Sequence, residues 1–267
     1  IVLLLSAIAC NPGSKTEREK KLIHQIDSLN QLGYDITDYH AHLKGGLTME
    51  HVIKHAKKTG IDYGVAVNVG LGFPVHNDST LSRFYHTMKD YPFALAVQAE
   101  GREWMDIVSP DTVAMYDYVF TDAMTFTDAK GRRMRLWIKD EVFVDDEQEF
   151  MEYLVQKIES ILKNEPVDIY VNPTYLPEII RDKYDELWTD RRLQRVVRAL
   201  IDNNIALEIN ARLRLPKPKL IKMAKEAGVK FTFGTNNVSS ELGYLGYCIE
   251  MIDECNLKPS DFWRHDE

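Results

Sequence analysis

The chain has 267 residues, 45% of them apolar and 28% charged, with 14 Gly and 10 Pro; this excludes disordered, fibrous and collagen-like classes. Its 33 Lys and Arg against 41 Asp and Glu give a formal net charge of −8 and a pI near 5.6. With no block of positive charge, a duplex nucleic-acid partner is excluded and a small anionic or polar ligand is expected.

Residues Ile1–Ala9 are almost wholly apolar, yet nine residues are too few to cross a bilayer. They read as the hydrophobic core of a signal peptide, and Ala7-Ile8-Ala9-Cys10 resembles a bacterial lipoprotein cleavage box. Residues 1–10 are therefore assigned to a signal-peptide remnant with its lipidation cysteine. The protein is then expected at the cell envelope of a bacterium, periplasmic or surface-exposed, touching membrane only through a lipid on Cys10. The alternative is a frayed apolar N-terminus. Residues 11–32 read as a polar tether and a charged lead-in helix, and 33–267 as one barrel domain.

From there short apolar runs alternate with amphipathic stretches. Strands are predicted at Tyr34–His40, Tyr63–Asn68, Phe93–Ala99, Tyr116–Thr121, Val167–Val171, Ile205–Ile209 and Lys230–Phe233. Helices are predicted at Thr48–Thr59, Ser79–Tyr91, Asp145–Asn164, Arg191–Asn203, Pro216–Ala227 and Glu241–Glu254. Gly60 and Gly228 fall where helices stop and Pro216 where one starts. Repeated β-then-α without strand hairpins predicts an α/β fold with a parallel sheet, closed or nearly closed as a barrel, with a doubly wound open sheet as the alternative. Cys248 and Cys255 lie about 10 Å apart on the last helix, beyond disulfide reach, and read as core thiols.

Period-two reading of the strands separates apolar from polar faces. Leu95, Val97 and Ala99 oppose Ala96, Gln98 and Glu100; Val167, Ile169 and Val171 oppose Asp168, Tyr170 and Asn172. Ile205, Leu207 and Ile209 oppose Ala206, Glu208 and Asn210, while Asp38, His40 and His42 share a face and Asn68, Asp122 and Asn236 end three further strands. A parallel strand covered on both sides is normally apolar throughout. Strands that turn polar towards their C-terminal ends predict a functional mouth, which is where barrels build their sites.

His40 and His42 can reach one ion, with Glu100 adding a carboxylate and Asp38 accepting a ring N–H, a mixed set suited to Zn, Mn or Fe. Lys44 and Arg102 follow two strand ends and are read either as anion-binding groups or as members of ordinary surface salt bridges. Residues 128–141 form a basic insertion with Trp137, either a lid or a solvated hairpin. Arg212 and Arg214 give a weaker signal of the same kind as Arg102, and the remaining histidines read as structural. No nucleotide loop or serine-hydrolase elbow is present.

The runs Asp38-Tyr39-His40-Ala41-His42, Gly46-Leu47-Thr48-Met49-Glu50 and Ala56-Lys57-Lys58-Thr59-Gly60 resemble the opening of the polymerase-and-histidinol-phosphatase (PHP) superfamily. Glu100 matches its third-strand Glu. Leu207-Glu208-Ile209-Asn210, Ala224-Lys225-Glu226-Ala227-Gly228 and Gly234-Thr235-Asn236 resemble its C-terminal section, so the likeness spans about residues 34–258. The resemblance implies a distorted TIM-like (β/α)7 barrel of the PHP type that is metal-dependent and cleaves phosphoesters. Asn68-Val69, Met124, Asn172 and Asn236-Asn237-Val238 stand where the family carries metal ligands. The implied site is therefore reduced to one divalent ion, at most two, on His40, His42 and Glu100, with Asp122 as a further ligand.

Two functions are expected on this basis. The first is a metal-dependent hydrolase of phosphoester-type substrates, with Glu100, Asp122, Arg102 and Lys44 as its catalytic groups. The second is a non-catalytic envelope protein that binds a small polar ligand through Asp38, Asn68, Asn172, Glu208, Asn236 and Asn237.

Overall fold

A computed structural model describes residues 15–265. The signal-peptide and Cys10 reading concerns residues outside that range. Among the described residues no helix is long and apolar enough to cross a membrane.

The lead-in helix α1 (Lys15–Gln31) precedes β1 (Thr37–Ala41), α2 (Met49–Thr59), β2 (Asp62–Val69), α3 (Asp78–Met88) and β3 (Ala94–Ala99). Two single-turn helices, α4 (Trp104–Ile107) and α5 (Pro110–Val113), lead to β4 (Tyr118–Thr121). A small hairpin of β5 (Thr125–Thr127) and β6 (Arg133–Arg135) comes next, then α6 (Glu147–Asn164) and β7 (Ile169–Tyr170). The chain closes with α7 (Tyr184–Leu187), α8 (Asp190–Asp202), β8 (Ala206–Asn210), α9 (Pro218–Glu226), β9 (Phe231–Gly234) and α10 (Gly246–Glu254). Strands β1-β2-β3-β4-β7-β8-β9 form a closed parallel barrel, so the open-sheet alternative is set aside.

Local chemistry sets the element ends. Thr48 caps α2 by accepting from the His51 backbone N–H, and Gly60 ends it at φ 72 with its own N–H on the Ala56 carbonyl. Asn77 and Asp146 cap α3 and α6 in the same way. Most element ends shift by one to three residues from the sequence reading. The hairpin β5–β6 interrupts the β-then-α rhythm and takes up much of the basic 128–141 insertion. Helix α9 starts at Pro218 rather than Pro216, and α10 starts at Gly246 rather than Glu241.

The core has two compartments. Outward strand residues such as Val65, Val97, Leu207 and Phe231 pack under the helices. Inside the barrel lies a smaller cluster of Tyr39, Ala66, Ala96, Tyr118, Phe120, Ile169, Val171 and Ala206. Gly64 permits this filling, because a Cβ there would sit 1.7 Å from the Tyr118 hydroxyl, which crosses to the Tyr39 carbonyl at 2.6 Å. The face assignment of β7 is therefore reversed: Ile169 and Val171 point inward and Tyr170 joins the outer core. Asn172 turns back towards the mouth only through a left-handed backbone, φ 48.

Candidate functional site

The upper part of the barrel interior is polar and almost wholly buried. His40, His42, Gln98, Glu100, Asp122, Asn172, Glu208 and Asn210 are all at most 4% exposed, so each must find a partner or serve a ligand.

His40 is held on both sides. Its Nδ1 lies 2.6 Å from Glu208 Oε1 and its Nε2 lies 3.3 Å from Gln98 Oε1. Both partners are oxygens that accept. The other Glu208 oxygen accepts from the Asn172 backbone N–H at 2.6 Å and from Asn210 Nδ2 at 3.1 Å. Gly234 makes room for this pair, since a Cβ there would lie 2.0 Å from Glu208 Oε1 and 2.7 Å from His40 Cβ.

His42 is arranged differently. Its Nδ1 lies 3.0 Å from the Ala66 carbonyl. A carbonyl only accepts, so the proton sits on Nδ1 and Nε2 keeps its lone pair. That Nε2 is buried and has no partner. Burial first, and the neighbouring charges of His40 and Lys44 second, push this imidazole well below its usual range, so it is neutral at physiological pH.

Glu100 Oε1 accepts from Asn68 Nδ2 at 2.8 Å, the same amide that serves Gln98 Oε1 at 2.8 Å. Glu100 Oε2 is buried without a partner. Burial, reinforced by the charge of Asp122, lifts this carboxyl to about 8. Lys44 is partly buried beside it, and loss of hydration lowers its ammonium somewhat. Asp122 itself is fixed, with one oxygen on the Met124 N–H at 2.9 Å and the other on Asn172 Nδ2 at 2.7 Å. Asn172 Oδ1 accepts in turn from Asn210 at 3.1 Å and Asn236 at 3.0 Å.

Three expected site residues serve the scaffold instead. A register shift between Asp38 and Ala41 takes Asp38 out of the histidine row. Its carboxylate accepts from the Thr235 N–H and hydroxyl and from the His40 backbone N–H, and hydrogen-bonds to no imidazole. Arg102 is turned to the protein's own Glu165 at 2.6 Å, the Thr121 hydroxyl at 2.9 Å and the Asp122 carbonyl at 3.3 Å, and only its buried Nε lacks a partner. Asn237 bridges the backbone N–H and C=O of His42 at 2.7 and 2.9 Å, pinning the loop after β9. Asn172 and Asn236 do meet each other, with Glu208 accepting from the Asn172 backbone N–H, while Asn68 joins Gln98 and Glu100. Asn210 and Gln98 belong to the same network; their inward positions on β8 and β3 were the signal for them. Exposed Arg212 reaches the Asn236 carbonyl at 2.7 Å.

The geometry also tests the expected ion. His40 has both nitrogens turned to acceptor oxygens, and among the described residues no group of three or more His, Cys, Asp or Glu side chains could hold a metal. Only His42 Nε2 and Glu100 Oε2 remain as donors, fewer than the three protein ligands a catalytic zinc needs. The residues present do not fit the expected site, and no step is derived through an ion. Accordingly, EDTA or phenanthroline is expected to leave the melting temperature within about 1 °C of its untreated value, since removal of a bound ligand would lower it. A drop of several degrees, reversed by one added equivalent of zinc, would restore the metal site.

Together the closed parallel barrel and the polar groups at its strand ends define a TIM-like barrel of the kind that enzymes use. Among solved structures, the chain is similar in fold to histidinol phosphate phosphatase from Lactococcus lactis subsp. lactis Il1403, complexed with zinc, L-histidinol and phosphate. The TM-score is 0.59 at 14% identity, covering 86% of this chain and 95% of that one. Lower similarity extends to HpcH/HpaI aldolase from Desulfitobacterium hafniense DCB-2, TM-score 0.36 at 12% identity, covering 85% and 96% of the two chains. No family model and no curated protein matches the sequence.

Proposed function

We propose that the protein is a hydrolase of small phosphoester-type substrates, acting at the barrel mouth with Glu100 and His42 as its acid and base. The observation that carries this reading is the pair of buried, unpartnered atoms His42 Nε2 and Glu100 Oε2. A folded protein leaves such atoms without partners at a cost of about 1–3 kcal/mol each, which a bound ligand recovers. Their protonation states are complementary. Glu100, lifted to about 8, carries a proton at neutral pH that can be delivered to a leaving-group oxygen. His42 holds the lone pair that accepts a proton from the attacking water. Lys44 beside Glu100 supplies positive charge for an anionic substrate, and the barrel likeness to a phosphatase fits the same class. The lipoprotein-like box at Ala7–Cys10 supports an envelope location for this activity.

The amide-lined alternative is less favoured, because the mouth amides spend their hydrogen bonds on one another. The test is phosphate release from a panel of phosphomonoesters. His42→Ala and Glu100→Gln are each expected to lower kcat about 100-fold or more while the folded CD signal is kept. Turnover by either variant at the wild-type rate, or no release from any substrate by the wild type, would reject the assignment.

A further inference from the structure

A second opening lies at the foot of the barrel, at the end opposite the mouth. Along the seam that closes the barrel, β1 and β9 pair only at Asp38 and Phe233. Nearer the strand starts is a cavity of about 160 Å³, lined by residues of both edges, by Asp62 at the start of β2 and by residues 262–265. A cavity of that size admits a molecule as large as benzene.

Its apolar walls are aromatic, with Tyr34, Tyr39, Phe262 and Trp263 among them. Tyr39 meets Trp263 at 5.3 Å and 69°, and Tyr34 meets Phe262 at 5.9 Å and 68°, so the rings stand as walls rather than as a stack. Aromatic faces attract cations, most strongly where water is excluded.

The polar lining has the matching sign. Asp35 and Asp62 bring two carboxylates against one guanidinium, that of Arg264, which lies 2.5 Å from Asp35. Asp62 accepts from the Tyr63 backbone N–H at 2.8 Å and, among the described residues, forms no ion pair. A further atom calls for a ligand: Thr232, which also lines the cavity, is 1% exposed, and its hydroxyl is buried without a partner. The register places Asp62 opposite Thr37, one residue before the Asp38–Phe233 pair, so Asp62, Thr37 and Thr232 lie at one level on three adjacent strands.

We propose that this cavity binds a small organic ammonium ion, with its charge between the aromatic walls and Asp62 and a hydrogen-bonding group on the Thr232 hydroxyl. The site shares no residue with the mouth, so the proposal stands independently of the phosphoester reading.

The experiment titrates the full chain with choline by calorimetry, at ionic strength matched with sodium chloride, and follows tryptophan emission in parallel. The control is 3,3-dimethylbutan-1-ol, the uncharged analogue of the same shape. Choline is expected to bind at least about tenfold more tightly than the analogue, as a desolvated cation beside aromatic faces should. Asp62→Asn keeps an acceptor for the Tyr63 N–H and should remove most of that preference. Thr232→Val keeps the side-chain shape and should weaken choline about threefold to tenfold, while tetramethylammonium, which has no hydroxyl, is unaffected. Choline is expected to change the emission of the wild type but not of Trp263→Phe. Sedimentation with phosphatidylcholine vesicles that choline blocks assigns the ammonium to a lipid headgroup; choline binding without sedimentation assigns it to a free molecule. Equal affinity for choline and the uncharged analogue overturns the proposal, as does a preference that survives in Asp62→Asn. An emission change that persists in Trp263→Phe overturns it by placing the cation elsewhere. Unchanged choline affinity in Thr232→Val overturns the contact with that hydroxyl, and no binding of choline or tetramethylammonium overturns the site altogether.

Discussion

A His40→Ala variant is expected to lose about 3–5 kcal/mol of stability, the usual cost of removing one partner from a buried pair. The His40–Glu208 contact is 2.6 Å long with both side chains 1% exposed, so no water replaces the missing imidazole. Glu208 would then retain only the Asn172 N–H and Asn210 amide on its far oxygen, and a void would open beside Phe120, whose ring centroid lies 4.5 Å from that of His40. For a domain of this size each kcal/mol corresponds to about 2–4 °C, so melting should fall by roughly 10 °C. Glu208→Gln keeps an oxygen for the Asn172 N–H but removes the charge. In a double-mutant cycle the two changes should show coupling above about 1.5 kcal/mol. A His40→Ala protein that melts within 2 °C of wild type would show that the pair is not the keystone of the mouth.

Glu100→Gln is expected to do the opposite to stability near neutral pH and above, while it lowers turnover about 100-fold or more. Burial and the charge of Asp122 raise the folded carboxyl from its ordinary 4.5 to about 8. Between those values the folded protein holds a proton that the unfolded chain has released. Stability contributed by this group therefore falls as pH rises through about 4.5 to 8, and is level above that. The glutamine does not titrate. Its amide N–H₂ has no acceptor where Oε2 stood, a constant cost that places the variant about 1–3 kcal/mol below wild type near pH 4.5 and, after the wild type has lost the linkage contribution, about 2 kcal/mol above it near pH 8. Chemical denaturation across that pH range checks the sign. Parallel curves for the two proteins would mean that Lys44 holds Glu100 ionised in the folded state, and the acid role assigned to it would go with that.

Gain in stability with loss of activity is the usual signature of a group kept in an unfavourable state for function. It separates Glu100 from His40. Both are buried in the same mouth, but the histidine is satisfied by protein partners and the glutamate is half unsatisfied.

Much of this was legible in the order of residues. All seven barrel strands are recovered from their apolar runs, because parallel strands and amphipathic helices have different periods that survive in one dimension. Capping at Thr48 and termination at Gly60 are equally local. Alternation also put Ala206, Glu208 and Asn210 on one face and Ala96, Gln98 and Glu100 on another, since a regular strand obeys period two. It failed where the backbone is irregular. The register shift after Asp38 and the left-handed turn at Asn172 each alter which side a residue faces, and neither carries a signal in residue type.

The assignment of partners was decided only by the closed barrel. His40 faces Glu208 across 168 positions of sequence, and Arg102 meets Glu165 across 63. Sequence determined that these groups are polar, inward and near strand ends. Which of them satisfy each other, and which atoms stay without a protein partner, depends on distances of a few tenths of an ångström between strands, because hydrogen bonding is short-ranged and directional while hydrophobic patterning is neither.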